Sequence, residues 1–233
     1  MKRVLILVMS HHSDEESFKT YKKIWDLKIS KIKDKYPIDI LFLYSDSNIE
    51  EKYKVGGYNL ISKCEENYWG SLLTKAINGI EYFQENDYDL VFKTNLSTFI
   101  NVPTFYDYCN KIPNEREYVY DGIFGGYEGF NFVSGAGILL NKKCSQIILN
   151  NQNLITEKWT DDIFFGYVLN KLNKIEPNSG GLNRYDLIQP DMFFNLPIVK
   201  NYSHIRVKVR KGEWDSFYFN KLYDLIFNET ENK

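Results

Sequence analysis

Apolar and polar residues fall in blocks along this chain, and the blocks read by turns as strands and helices. Val4 to Val8 is an unbroken apolar run, the pattern of a strand covered on both faces in a parallel sheet. Glu16 to Lys35 carries Phe18, Tyr21, Ile24, Trp25, Ile29 and Ile32 at helical spacing with lysines between them, an amphipathic helix that Pro37 ends. Ile38 to Tyr44 reads as a second strand, and Glu50 to Lys63 as a loop with a short strand. Gly70 to Phe83 is a helix with Leu72, Leu73, Ala76, Ile77, Ile80 and Phe83 as its buried stripe. Leu90 to Phe92 is a short buried strand that runs into a polar elbow and leaves as the apolar segment Phe99-Ile100. Pro103 to Lys111 is a short helix, and Tyr118 to Tyr127 alternates like a strand that ends in the Gly125-Gly126 turn. Asp161 to Leu172 and Trp214 to Phe227 read as later helices. Strands that alternate with helices in this way predict an α/β protein, a mixed and mostly parallel Rossmann-like sheet flanked by helices.

In an open α/β sheet, ligands sit just beyond the carboxyl ends of the strands. The stretch Tyr88 to Asn101, with Lys93, Asn95 and Ser97 in its elbow, is therefore the first place to expect chemistry. Ser10-His11-His12-Ser13 follows the first strand and reads either as a nucleotide-facing loop or as a helix cap, with Ser13 and Glu16 spaced as a capping box. Asp46, after the second strand, could accept a hydrogen bond from a ribose, or could be an ordinary turn residue. Ser134-Gly135-Ala136-Gly137 is small enough for a backbone to approach a sugar closely. Asp161 and Asp162 are either a catalytic pair or the N-terminal carboxylates that a helix macrodipole favours. His204 is either a metal ligand or an ordinary histidine at a strand end.

Composition narrows the field. With 233 residues the chain suits one domain over 1–233. Its 29 Lys and Arg against 31 Asp and Glu give a formal charge of -2, which argues against a nucleic-acid binder that works through a broad basic surface. The 18 Tyr and 16 Phe are core filling or a sugar-stacking surface. The cysteines, Cys64, Cys109 and Cys144, are odd in number and have no C-x-x-C spacing, so reduced thiols are expected. Met1 to Ser10 is basic and then apolar, but the apolar run is too short for a membrane span and leads straight into a helical pattern, as a first strand would. No later segment is apolar enough to span a bilayer, and no internal repeat or linker is visible.

Several of these segments, in this order, resemble the β-1,3-glycosyltransferases of the galactosyltransferase and fringe type, which have the GT-A fold. The family pattern at the elbow is apolar-apolar-Lys-x-Asp-Asp-Asp-apolar-apolar-Asn. Phe92-Lys93-Thr94 and Phe99-Ile100-Asn101 match it, and Asn95-Leu96-Ser97 stands where the acidic triplet would be. Upstream, Glu66 and Tyr68 match, while Thr74 falls on the family lysine and Lys75 comes one position late. Downstream, Phe132-Val133-Ser134-Gly135-Ala136-Gly137 matches Tyr-x-Ser-Gly-x-Gly, and Asp161-Asp162-Ile163-Phe164-Phe165-Gly166 matches acidic-Asp-Val-aromatic-x-Gly.

The resemblance implies an inverting glycosyltransferase that moves a sugar from a nucleotide-sugar, a UDP-sugar, to a glycan acceptor. It places Asp162 as the base beside Asp161. A carboxylate next to another tends to have a raised pKa, which suits a base. It also implies donor contacts from Ser10, His11, Asp46, Lys93, Asn95, Ser97, Ser134, Gly135 and Gly137, and Mn²⁺ or Mg²⁺ held by His204 and Asn95. Neutral oxygens hold a divalent ion weakly, so three arrangements are open: a metal held by His204 and the diphosphate, a metal-free site using Lys93, Arg206 or Lys208, or a site that only binds. The second hypothesis is accordingly a non-catalytic glycan- or nucleotide-binding module on the same fold. A nucleotidyltransferase ranks below both, because no Gly-rich phosphate loop with its Lys follows the first strand. Golgi members of the family carry an N-terminal anchor and stem. Neither is seen here, so a soluble cytoplasmic enzyme of bacterial or viral kind is expected.

Overall fold

The computed structural model describes residues 1–32, 34–67, 70–156, 159–188, 200–209 and 212–228. The first strand, β1 (Val4–Met9), is the axis of the sheet. Its residues point alternately to the two faces. Val4, Ile6 and Val8 enter one core with the helices α1 (Glu16–Ile32) and α3 (Val102–Lys111) and the last helix, α6 (Gly212–Tyr223). Leu5, Leu7 and Met9 enter a second core with α2 (Gly70–Glu85), α4 (Lys142–Asn150) and α5 (Asp161–Gly166). An unbroken apolar run is what a strand with helices on both faces requires.

The main sheet has seven strands in the order β3-β4-β2-β1-β5-β10-β7. β2 (Ile38–Ser45) and β5 (Leu90–Asn95) pair with β1 in parallel, one on each side. β4 (Asn59–Ser62) extends the parallel set, while β3 (Tyr53–Gly56) and β10 (Ile138–Asn141) run antiparallel to their neighbours. The chain leaves β1 for β2 on one side and returns through α2 to β5 on the other. The crevice between the carboxyl ends of β1 and β5 is thus a topological switch point, where such sheets bind ligands. The mixed, mostly parallel α/β architecture expected from the sequence is present.

Several segments are divided more finely than their periodicity predicts. Glu50 to Lys63 holds the hairpin β3–β4 instead of one short strand. Tyr118 to Tyr127 is two strands, β7 (Tyr120–Asp121) and β8 (Phe124–Tyr127), separated at Gly122. Gly122 has φ of +150°, and a Cβ there would lie 2.3 Å from the Gly137 carbonyl oxygen. β8 pairs only with β9 (Phe130–Val133), as a hairpin beside α5. Helix α4 is not among the elements expected above, and it buries Cys144 and Ile148. Asn141 caps it, accepting from the Cys144 amide at 3.1 Å. α5 widens into a π-helical turn at Tyr167–Leu172. Ser13 accepts from the Glu15 amide at 3.2 Å, so it makes a tight turn rather than the expected capping box. The three cysteines are free thiols, as expected, and many aromatic side chains are buried in the two cores or packed against them. Tyr68 of the resemblance lies outside the described residues.

A small second sheet closes the crevice. β6 (Thr98–Ile100) pairs antiparallel with β12 (His204–Val207), which pairs in parallel with β11 (Arg184–Leu187). The elbow between β5 and β6 is anchored from below by α1. Buried Trp25 donates from Nε1 to the Leu96 carbonyl at 3.0 Å, and the Leu96 amide bonds to the Met9 carbonyl at 3.2 Å. Replacing Trp25 with Phe removes this donor and leaves a buried carbonyl unpaired, which costs roughly 1–3 kcal/mol. Urea unfolding of Trp25→Phe should show a loss in that range, and an unchanged midpoint would mean that the bond does not anchor the elbow.

Candidate active site

Three segments converge over the switch point: the elbow Asn95-Leu96-Ser97, the loop Ser134 to Gly137, and the N-terminus of α5. They line a cleft of about 600 Å³ together with His11, Arg206, Lys208 and Asp215. The segments are tied by side chains from β5. Thr94 and Thr98 both donate to the Ala136 carbonyl, at 2.8 and 3.3 Å. Lys93 donates to the Gly135 carbonyl at 3.0 Å and forms an ion pair with Asp161. Both members of that pair are almost fully buried. Burial pushes the Asp161 carboxyl above its usual range, against the pull of Lys93.

Asp162 has a different environment. It is partly exposed and lines the cleft. Its Oδ1 accepts from the Thr160 hydroxyl at 2.6 Å and the Ile163 amide at 3.0 Å, and its Oδ2 accepts from the Gly135 amide at 3.0 Å. One carboxylate is therefore sealed with a lysine, while its neighbour is held in one orientation facing the cleft. Gly135 links the two, since its amide binds Asp162 and its carbonyl binds Lys93. A Cβ on Gly135 would come within 3.1 Å of Lys93 Nζ and 3.2 Å of Asp162 Oδ2.

The other expected site residues divide. Lys93, Asn95, Ser97, Ser134, Gly135 and His11 line the cleft. His11 packs edge-on against Phe18, and partial burial holds its imidazole below the ordinary pKa. Ser134 accepts from Arg184 Nη1 at 2.8 Å, a partner that β11 brings from far along the chain. Ser10 is buried, and its carbonyl accepts from Lys75 at 2.9 Å. Lys75 also pairs with Glu66 at 2.7 Å, so the lysine that falls one position late still meets the acidic residue of the motif. Asp46 is exposed and folds back on its own turn, accepting from the Asn48 amide at 2.9 Å. That is the turn role, away from the cleft.

Gly137 and His204 are not at the cleft either. A Cβ on Gly137 would lie 2.4 Å from His204 Nε2, so the space beside Gly137 belongs to the histidine ring and not to a sugar. His204 is completely buried, edge-on to Phe92, with Ser203 Oγ 3.1 Å from its Nδ1. A hard divalent ion needs several oxygen ligands that converge. Asn95 turns its Oδ1 toward Lys93 Nζ at 3.5 Å, Ser97 offers one hydroxyl, and His204 is sealed away. These residues do not fit Mn²⁺ or Mg²⁺. Among the described residues, no three His, Cys, Asp or Glu side chains are grouped so that they could hold a metal.

The architecture is of the GT-A type, a mostly parallel central sheet flanked by helices. No family model matches the sequence, and no curated protein matches it. The chain is similar in structure to a glycosyltransferase involved in the glycosylation of the major capsid of PBCV-1, with a TM-score of 0.55 and 9% identity over 94% of this chain and 98% of that one. It is also similar to the apo form of the glycosyltransferase GlyE of Streptococcus pneumoniae TIGR4, with a TM-score of 0.50 and 12% identity. That match takes in all of this chain and 63% of GlyE, so the chain spans less than two thirds of GlyE's length. At such identity the likeness shows a shared fold.

Breaking a buried ion pair leaves an uncompensated charge, at roughly 3–5 kcal/mol, while an apolar pair in its place is far less costly. Lys93→Met should destabilise the protein by about that amount in chemical unfolding. Adding Asp161→Leu should restore most of the loss, and simple additivity of the two losses would show that the pair is not coupled. His204 supplies a pH test. Burial, aided by Arg184, lowers its pKa to about 3 from 6.5. Below the unfolded value the unfolded chain takes up a proton that the folded ring refuses. His204 thus makes stability fall as pH drops from 6.5 toward about 3. His204→Gln should flatten this part of the stability–pH curve, and an identical slope in the variant would assign the loss to other groups.

Proposed function

We propose that this protein is an inverting glycosyltransferase that moves a sugar from a nucleotide-sugar, a UDP-sugar, to a hydroxyl of a glycan acceptor, with Asp162 as the base. The observation that carries this reading is the placement of Asp162. Its carboxylate is pinned by three donors at the edge of a cleft over the switch point. The GT-A-type fold supports it.

In the reaction, Asp162 takes the proton of the acceptor hydroxyl as that oxygen attacks the anomeric carbon from the side opposite the donor bond. The new glycosidic C–O bond forms, and the bond to the nucleoside diphosphate breaks with its electron pair on the phosphate oxygen. Lys93 and Asp161 act as positioning residues, because Lys93, paired with Asp161, donates to the Gly135 carbonyl and the amide of the same glycine orients Asp162. Asn95, Ser97 and Ser134 offer neutral hydrogen-bonding groups to the sugar or phosphates. Among the described residues no helix is long and apolar enough to cross a membrane.

General-base catalysis contributes typically 10²–10⁴-fold, so Asp162→Asn should lower kcat by roughly that factor while UDP-sugar binding stays near the wild-type value. Unchanged turnover in this variant would remove Asp162 from the mechanism. The elbow without carboxylates favours a second reading, a glycan- or nucleotide-binding module. It predicts saturable binding of a nucleotide-sugar by the wild-type protein with no turnover on any acceptor.

A further inference from the structure

The elbow is uncharged. Asn95-Leu96-Ser97 carries no carboxylate, and the strand beside it is basic. The pairing of β12 with β6 sets Arg206 opposite Thr98, and the Val207 amide bonds to the Ser97 carbonyl at 2.9 Å. Arg206 and Lys208 are therefore delivered, by backbone register, to the flank of the elbow. Both line the cleft. Arg206 is half-buried and Lys208 is exposed.

Acidic groups stand near these cations, Asp186 among them, opposite Arg206 in the β11–β12 register. Asp161 is paired with Lys93. Asp215 accepts from the Val209 amide at 2.7 Å and from the Tyr21 hydroxyl. Glu15 is exposed, and Asp162 lines the same cleft as Arg206 and Lys208. A diphosphate gains negative charge as the sugar leaves it, and a preorganised cation beside it acts directly on that charge. Arg forms a planar fork suited to phosphate, and Lys acts as a mobile point charge.

We propose that Arg206 and Lys208 bind the diphosphate of the donor directly and stabilise its departure without a divalent cation. This rests on the donor reading given above. The cleft then selects a nucleoside diphosphate by charge that the protein itself supplies. Binding is independent of Mn²⁺ and Mg²⁺ and weakens as salt rises.

The test is calorimetric titration of the full chain with UDP, GDP and CDP, each in EDTA and in Mn²⁺. Lys208→Gln and Arg206→Gln are titrated in parallel, with thermal melts to confirm folding. The expected result is that at least one nucleotide binds equally well in EDTA and in Mn²⁺. Each substitution should weaken that binding about tenfold, the loss of one charge-assisted hydrogen bond. Lys208 is exposed, so its variant reports on binding even if Arg206→Gln fails to fold. Binding only in the presence of Mn²⁺ overturns the metal-free site but leaves the glycosyltransferase reading in place. Binding in EDTA that neither substitution weakens overturns the assignment to Arg206 and Lys208. No binding of any nucleotide in either condition overturns the donor reading, and this inference with it.

Discussion

The buried ion pair between Lys93 and Asp161 is the contact on which the site depends. A lysine pointing into the interior near the end of a central strand is tolerable only if its charge is met there, and so is an aspartate at the sealed start of a helix. Each answers the other. In meeting, they join the end of β5 to the start of α5 and draw in the Gly135 carbonyl between them. The amide of the same glycine then orients Asp162. A structural requirement, that two charges be matched in a dry place, thereby fixes the direction of Asp162 at the cleft.

The rest of the site is built around that join by small residues and long-range hydrogen bonds. Gly135 is small because two polar side chains press on it, and Gly137 because the His204 ring does. Thr94 and Thr98 hold the loop from below, and Trp25 holds the elbow from α1. The cleft's walls are therefore backbone clamped by buried side chains, which is how a polar loop can keep its shape over an apolar sheet. Buried histidine in such a wall is neutral because an imidazolium there would lose its hydration. His204 thus serves packing, and its proton equilibrium matters for stability more than for ligands.

Much of the architecture was legible in the order of the residues. The apolar run of β1, the stripes of α1 and α2 and the polar break after Phe92 follow from burial, and burial leaves a period of its own in a chain. The order of the elbow, the Ser134-Gly135-x-Gly137 stretch and Asp161-Asp162 pointed to the same crevice that the fold creates. What periodicity could not reveal was where one strand becomes two, because Gly122 divides β7 from β8 through a backbone angle and a close approach to Gly137, neither of which has a hydrophobic signal.

The division of labour between neighbours also lay beyond the sequence. Asp161 and Asp162 are the same residue type in adjacent positions, and only the path of β5 decides that one meets Lys93 while the other faces the cleft. Likewise, nothing local marks Arg206 and Lys208 as neighbours of Ser97, from which they are separated by most of the second half of the chain. Sheet register brings them together. Local sequence determines which segments bury and which turn, since those depend on each residue's own solvation. Which charges meet depends on packing between distant segments, and that is settled only when the chain closes on itself.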